Sequence, residues 1–205
     1  MRRIAALLLL TGWLGTRAAA PARVAVFLGD SLTAGYGVAP GQAYPELLGA
    51  AFTERKLPVG VVNGGVSGDT SAGGLRRLPW LLKRKPAWVI VALGGNDMLR
   101  GLPPSETEKN LDAILTQTRA AGARPILLGM RAAPNLGPDF TRDFEALYPR
   151  LAKRHGCPFL PFYIEPVAGK PALNQADGIH PTPEGHRLIA DKLLQFLLPI
   201  VEKPA

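Results

Sequence analysis

A chain of 205 residues that is 47% apolar, 20% charged and 7% aromatic can bury a full core, which excludes a disordered chain, a mini-protein and a bundle of membrane helices. The formal charge of +8 includes Arg2, Arg3 and Arg17, with no acidic residue before Arg23, so the chain from Arg23 onward carries +5. That modest excess, without a concentrated basic face, argues against nucleic acid as a partner.

Residues 1–22 read as a cleavable secretory signal peptide. Arg2 and Arg3 precede an apolar run from Ile4 to Leu14, and the small residues Ala18, Ala19 and Ala20 follow. The run is shorter than the roughly 20 residues of a spanning helix, so stable membrane insertion is not expected. Cleavage after Ala20 would set Pro21 beside the scissile bond, which favours a cut after Ala22. The expected product is one exported domain, residues 23–205, periplasmic or secreted. The single Cys157 allows no internal disulfide and reads as a buried, inert thiol.

Strand-length apolar runs then recur at 24–28, 59–62, 89–93, 126–130 and 159–162. Their continuous character marks strands covered on both faces, hence a mainly parallel five-stranded sheet in an α/β domain. Helical patterns separate them at 44–56, 70–83, 105–121, 140–155 and 184–198. In the last, Ile189, Leu193, Phe196, Leu197 and Ile200 share one stripe. Pro79 and Pro149 predict a kink or a restart in two of the others. The cluster Arg76, Arg77, Lys83, Arg84 and Lys85 around Trp80 reads as a solvated helix face.

Loops at the carboxyl ends of parallel strands form the crevice that binds ligands. The first such loop reads Gly29-Asp30-Ser31-Leu32-Thr33, the second Asn63-Gly64-Gly65-Val66-Ser67-Gly68-Asp69 and the third Gly94-Gly95-Asn96-Asp97. Before the last helix, Asp177-Gly178-Ile179-His180-Pro181 supplies a carboxylate and an imidazole three residues apart. A serine hydroxyl becomes nucleophilic when a neutral imidazole takes its proton and a third group holds that imidazole. Ser31, His180 and Asp177 fit these roles, and turnover is expected to fall on acidification. Gly68 through its N–H, Asn96 through its amide and Ser31 through its N–H suit an oxyanion hole.

Competing assignments are weaker. Asp30, Asp69 and Asp97 adjoin loop-to-helix junctions, where aspartate commonly caps N–H groups. Ser67 and Ser71 have no acid-base pair of their own. His155 precedes Gly156 at a helix terminus, and His186 falls in the first turn of the last helix, expected to be exposed. Three histidines without paired ligand spacing argue against a metal, and no cofactor is expected. The order and spacing also differ from an α/β-hydrolase, since no Gly-x-Ser-x-Gly is present.

These four blocks together resemble the SGNH, or GDSL, hydrolases. More closely, the stretch 24–197 is similar to the bacterial multifunctional thioesterase I, lysophospholipase and arylesterase group, with echoes in Ser67-Gly68-Asp69-Thr70-Ser71 and in 93–101. The resemblance implies a three-layer α/β/α sandwich of flavodoxin-like kind, an export signal, no metal, and broad use of fatty acyl esters and thioesters. It makes Ser31 the nucleophile, Asp177 and His180 its triad partners, and Gly68 and Asn96 oxyanion donors. The expected substrate is a small-molecule or lipid ester, handled by a monomer. The segment 131–141, with Ala132, Ala133, Pro134, Leu136 and Phe140, would suit an apolar wall beside the reaction. A carbohydrate acetylesterase on the same fold is the alternative enzyme. From a different class, a nucleotide- or flavin-binding domain scores poorly, because neither Gly-x-Gly-x-x-Gly nor a P-loop is present.

Overall fold

The structure, a computed structural model, describes residues 23–203; the expected leader at 1–22 lies outside the described residues. Five strands, β1 (Arg23–Gly29), β2 (Val59–Gly65), β3 (Trp88–Ala92), β4 (Arg124–Leu128) and β5 (Phe159–Leu160), form one sheet in the order β2-β1-β3-β4-β5. Every pairing is parallel. Residues 26–28, 89–91 and 126–128 are each at most 1% exposed, which only cover on both faces can produce.

Helices α2 (Tyr44–Glu54) and α7 (Pro183–Val201) pack together, while α3 (Ser71–Leu82), α5 (Pro104–Ala120) and α6 (Pro138–His155) pack as successive neighbours. Right-handed crossovers from β1 toward β2 and from β2 over β1 to β3 put these two groups on opposite faces, giving three layers. Short helices α1 (Ser31–Ala34) and α4 (Gly95–Leu99) occupy the exits of β1 and β3. Along α7, Ile189, Leu193 and Leu197 are buried, as the stripe requires, while Phe196 and Ile200 are half-buried beside the core. Among the described residues no helix is long and apolar enough to cross a membrane.

Two local expectations change. Pro79 and Pro149 lie within α3 and α6, which run through them without interruption. Both prolines are on exposed sides, so the carbonyl each one frees four residues earlier can meet water. The apolar runs 126–130 and 159–162 also outlast their ladders. Met130 and Phe162 lie beyond the strands and line a cavity instead.

The register aligns Gly29 with Gly65 on one side and with Ala92 on the other, so the chain leaves β1, β2 and β3 in one row. Strand order reverses between β1 and β3, the switch point at which such sheets open a crevice.

Candidate active site

Ser31 is the first residue of α1, at the bottom of that crevice. Asp30 caps the turn, its Oδ1 accepting from the Leu32 N–H at 3.0 Å. Gly29 is obligatory here, since a Cβ would meet Thr33 Oγ1 at 1.9 Å. The turn closes at Gly35, with φ of 77°. The Ser31 N–H, at the helix start, has no intrahelical acceptor.

His180 reaches Ser31 from the far side of the chain. The Ser31 hydroxyl lies 2.9 Å from Nε2, and Nδ1 lies 2.6 Å from Asp177 Oδ2. An ionised carboxylate only accepts, so Nδ1 carries the hydrogen and Nε2 is free to accept from Ser31. The other oxygen, Asp177 Oδ1, accepts from the Ile179 and His180 N–H groups, each at 3.0 Å. The His180 N–H foremost, then its ring, hold the Asp177 carboxyl down to about 2. Gly178, with φ of 74°, makes this tight turn possible. The Tyr36 ring packs on His180 with centroids 4.6 Å apart, a contact the sequence reading did not find.

The donor side is equally specific. Asn96 Nδ2 donates to the Asp69 carbonyl at 3.0 Å and makes a longer contact, 3.4 Å, with Asp30 Oδ2. Gly68 has φ of 78°, and its carbonyl accepts from Arg100 Nη2 at 2.7 Å. Ser31, Gly68, Asn96 and His180 all line one cavity. Asp30 is buried beneath them, and burial pushes its carboxyl up to about 6.

The rival residues are placed elsewhere. Ser71 is buried, its N–H donating to Asp97 Oδ2 at 2.8 Å and its hydroxyl to Oδ1 at 2.5 Å. Asp97 thus caps α3 rather than its own helix, and Asp69 pairs with Arg77 while Thr70 makes the α3 cap. Arg77 corrects the solvated-face reading: its guanidinium turns inward to Asp69 and to the Gly29 and Gly64 carbonyls. His186 corrects the exposed-turn reading. It is fully buried, and its Nδ1 accepts from the Tyr44 N–H at 3.3 Å, serving the start of α2 where Ala43 offers no side-chain cap. Burial lowers His186 to about 4. His155 pairs with Asp112 at 2.9 Å, and burial raises the half-buried Cys157 thiol.

Residues 27–188 match the GDSL-like Lipase/Acylhydrolase family. The chain is 46% identical over 184 residues to the Thioesterase 1/protease 1/lysophospholipase L1 of Escherichia coli, covering 89% of this chain and 87% of that one. It is 40% identical over 172 residues to an arylesterase of Vibrio mimicus, covering 83% and 86%. A solved psychrotrophic esterase from Pseudoalteromonas sp., inhibited by monoethylphosphonate, superposes with a TM-score of 0.84 at 30% identity, over 88% of this chain and 100% of that one.

The chain belongs to the GDSL-like lipase/acylhydrolase family. It is an enzyme, a hydrolase of carboxylic esters on the SGNH fold.

In this acylhydrolase the cavity beside Ser31 encloses about 470 Å³. Leu32, Met98, Met130, Phe162, Ile164 and Val167 give it an apolar interior, and Ser31 and His180 line the same cavity. From the segment 131–141, Ala132 and Ala133 line the cavity, as expected of a wall. Leu136 and Phe140 do not; they pack against the core, Phe140 stacking on Phe144 at 5.8 Å. The segment is tied down by the Ala132 N–H to Glu145 Oε1 and the Ala133 N–H to Met98 Sδ.

Proposed function

We propose that this acylhydrolase is a serine esterase and thioesterase acting on aryl esters, lysophospholipids and acyl thioesters through Ser31, His180 and Asp177. The observation that carries the reading is the 2.9 Å separation of Ser31 Oγ from His180 Nε2, with Asp177 on the opposite ring nitrogen. As Ser31 attacks the acyl carbon, its proton passes to Nε2, and the Asp177 carboxylate stabilises the imidazolium. The proton then goes to the departing alcohol or thiol. Water, deprotonated by the same nitrogen, attacks the acyl-enzyme and releases the acid and Ser31.

The tetrahedral oxygen carries negative charge that needs fixed donors. The Ser31 and Gly68 N–H groups and Asn96 Nδ2 are those donors. Asn96 keeps its 3.0 Å bond to Asp69 and turns the hydrogen of its weaker 3.4 Å contact from Asp30 to the oxyanion. The apolar cavity favours an acyl chain over a sugar, so the carbohydrate acetylesterase stands second.

The substrate is a small-molecule or lipid ester taken up by a monomer that needs no metal or cofactor. Residues 1–22 act as the export leader, and the domain 23–205 works in the periplasm or outside the cell. A panel of p-nitrophenyl esters and acyl-CoA thioesters from two to sixteen carbons, run with the wild type and Ser31→Ala, tests the reading. Turnover is expected to rise beyond acetyl for both leaving groups and to vanish in the variant. Activity confined to acetyl esters would select the alternative, and an active Ser31→Ala enzyme would reject the nucleophile.

A further inference from the structure

Arg77 is the one member of the basic cluster on α3 whose guanidinium reaches the rim of the crevice from beneath. Its Nε donates to Asp69 Oδ2 at 2.5 Å, its Nη2 to the Gly29 carbonyl at 2.6 Å and its Nη1 to the Gly64 carbonyl. One planar fork therefore holds the end of β1, the end of β2 and the loop that follows β2. Gly29 lies two residues before Ser31, and Asp69 directly follows Gly68. The Asp69 carbonyl is in turn the 3.0 Å acceptor that fixes the Asn96 amide.

We infer that Arg77 is a positioning residue for the oxyanion site, setting Gly68 and Asn96 relative to Ser31 through Asp69 and the two strand-end carbonyls. This rests on the oxyanion roles proposed above for Gly68 and Asn96. The physical argument is one of shape. The three acceptors sit on two strand ends and one loop, and only a rigid fork of donors can serve all three at once; a lysine ammonium supplies the charge at a single point. Arg77 also separates like charges. Asp69 is only 11% exposed at its side chain and near enough to the buried Asp30 for their charges to interact, so without the guanidinium the Asp69 carboxylate would be left unpaired beside a like charge. The loop 66–69 would then relax away from Asp30 and carry the Asn96 anchor with it. Displacement on the scale of an ångström is enough to lose most of an oriented donor's effect.

The experiment is a double-mutant cycle on a short p-nitrophenyl ester, with Arg77→Lys, Asn96→Ala and the pair, each also followed by thermal unfolding. Asn96→Ala first tests the oxyanion reading itself, and wild-type turnover in that variant would overturn it. With Asn96→Ala slow, Arg77→Lys is expected to lower kcat about tenfold, with KM within about twofold, and to cost less than about threefold when Asn96 is already gone. An Arg77→Lys enzyme at wild-type turnover, losses that multiply independently, or a loss that appears only above a lowered unfolding midpoint would each overturn the positioning role. If Arg77→Lys does not fold, Asp69→Asn takes its place in the cycle. It preserves the backbone carbonyl that holds Asn96 while weakening the grip of Arg77, so a loss non-additive with Asn96→Ala is again expected. An additive or absent loss overturns the inference.

Discussion

Two serine–aspartate associations lie at the same end of the sheet and differ in kind. Ser71 meets Asp97 directly, with both its N–H and its hydroxyl engaged; the buried Thr107 and the half-buried Asn110 complete the cluster. Ser31 reaches Asp177 only through the His180 ring, at the edge of an open cavity. In the first, the hydroxyl proton already has its final acceptor and the carboxylate is spent on helix capping. In the second, the imidazole can take the proton and give it to a leaving group, while the carboxylate outside it stays charged. On the function proposed above, proximity of serine to aspartate does not make a nucleophile; an intervening base at the cavity does.

Removing each hydroxyl separates the two. Ser31→Ala is expected to lower kcat by at least ~10⁴ with the unfolding midpoint little changed. Ser71→Ala should leave kcat within about twofold and cost ~1–3 kcal/mol of stability, the usual range for depriving a buried acceptor of its donor. Steady-state turnover and denaturant unfolding on the same preparations measure both. The reverse pattern, a silent Ser31→Ala and an inactive but stable Ser71→Ala, would exchange the assignments.

The next effect lies between these extremes. Asn96→Ala, which removes a donor at the cavity edge without touching the Ser71 cluster, is expected to cost ~10²–10³ in kcat. Its far-ultraviolet circular dichroism should match the wild type, because Asn96 contributes no buried apolar contact to the core. A loss below about threefold would remove Asn96 from the oxyanion hole.

How far these regions could be read from the chain depends on the range of the forces involved. The continuous apolar runs announced a sheet covered on both faces, and the four short blocks named Ser31, Gly68, Asn96 and His180, which the fold brings to one cavity, three of them because they follow strand exits. Asp177 and His180 were legible for a local reason: a three-residue spacing with glycine between closes on itself. Arg77 and His186 were not. A basic residue among basic neighbours, or a histidine in the polar first turn of an amphipathic helix, looks solvated by its local pattern. What draws Arg77 inward is a set of carbonyls and a carboxylate 8 to 48 positions away, and His186 finds its donor 142 positions away. Tyr36 against His180 belongs with them, for only the folded chain brings the two together.

Two buried titratable groups, His186 and Asp30, set the smallest expected effect, which is a slope close to zero. His186 titrates near 4 in the folded protein because burial disfavours its charged form, against about 6.5 when unfolded. Between those values the unfolded chain binds the extra proton, so this histidine makes stability fall as pH drops from about 6.5 to 4. Asp30 acts in the other direction. Its folded carboxyl titrates near 6, raised by burial, whereas the unfolded one ionises near 3.9, so the folded chain binds the extra proton and stability falls as pH rises from about 4 to 6. Each contribution is on the order of 3 kcal/mol, and the two nearly cancel in the window they share. Urea unfolding at half-unit steps from pH 4 to 6.5 should therefore show little slope from this pair in the wild type. Asp30→Asn should uncover a loss toward acid, and His186→Gln a loss toward neutrality. Slopes of the same sign in the two variants would show that one of these groups titrates close to its unfolded value, and that the opposition between them does not exist.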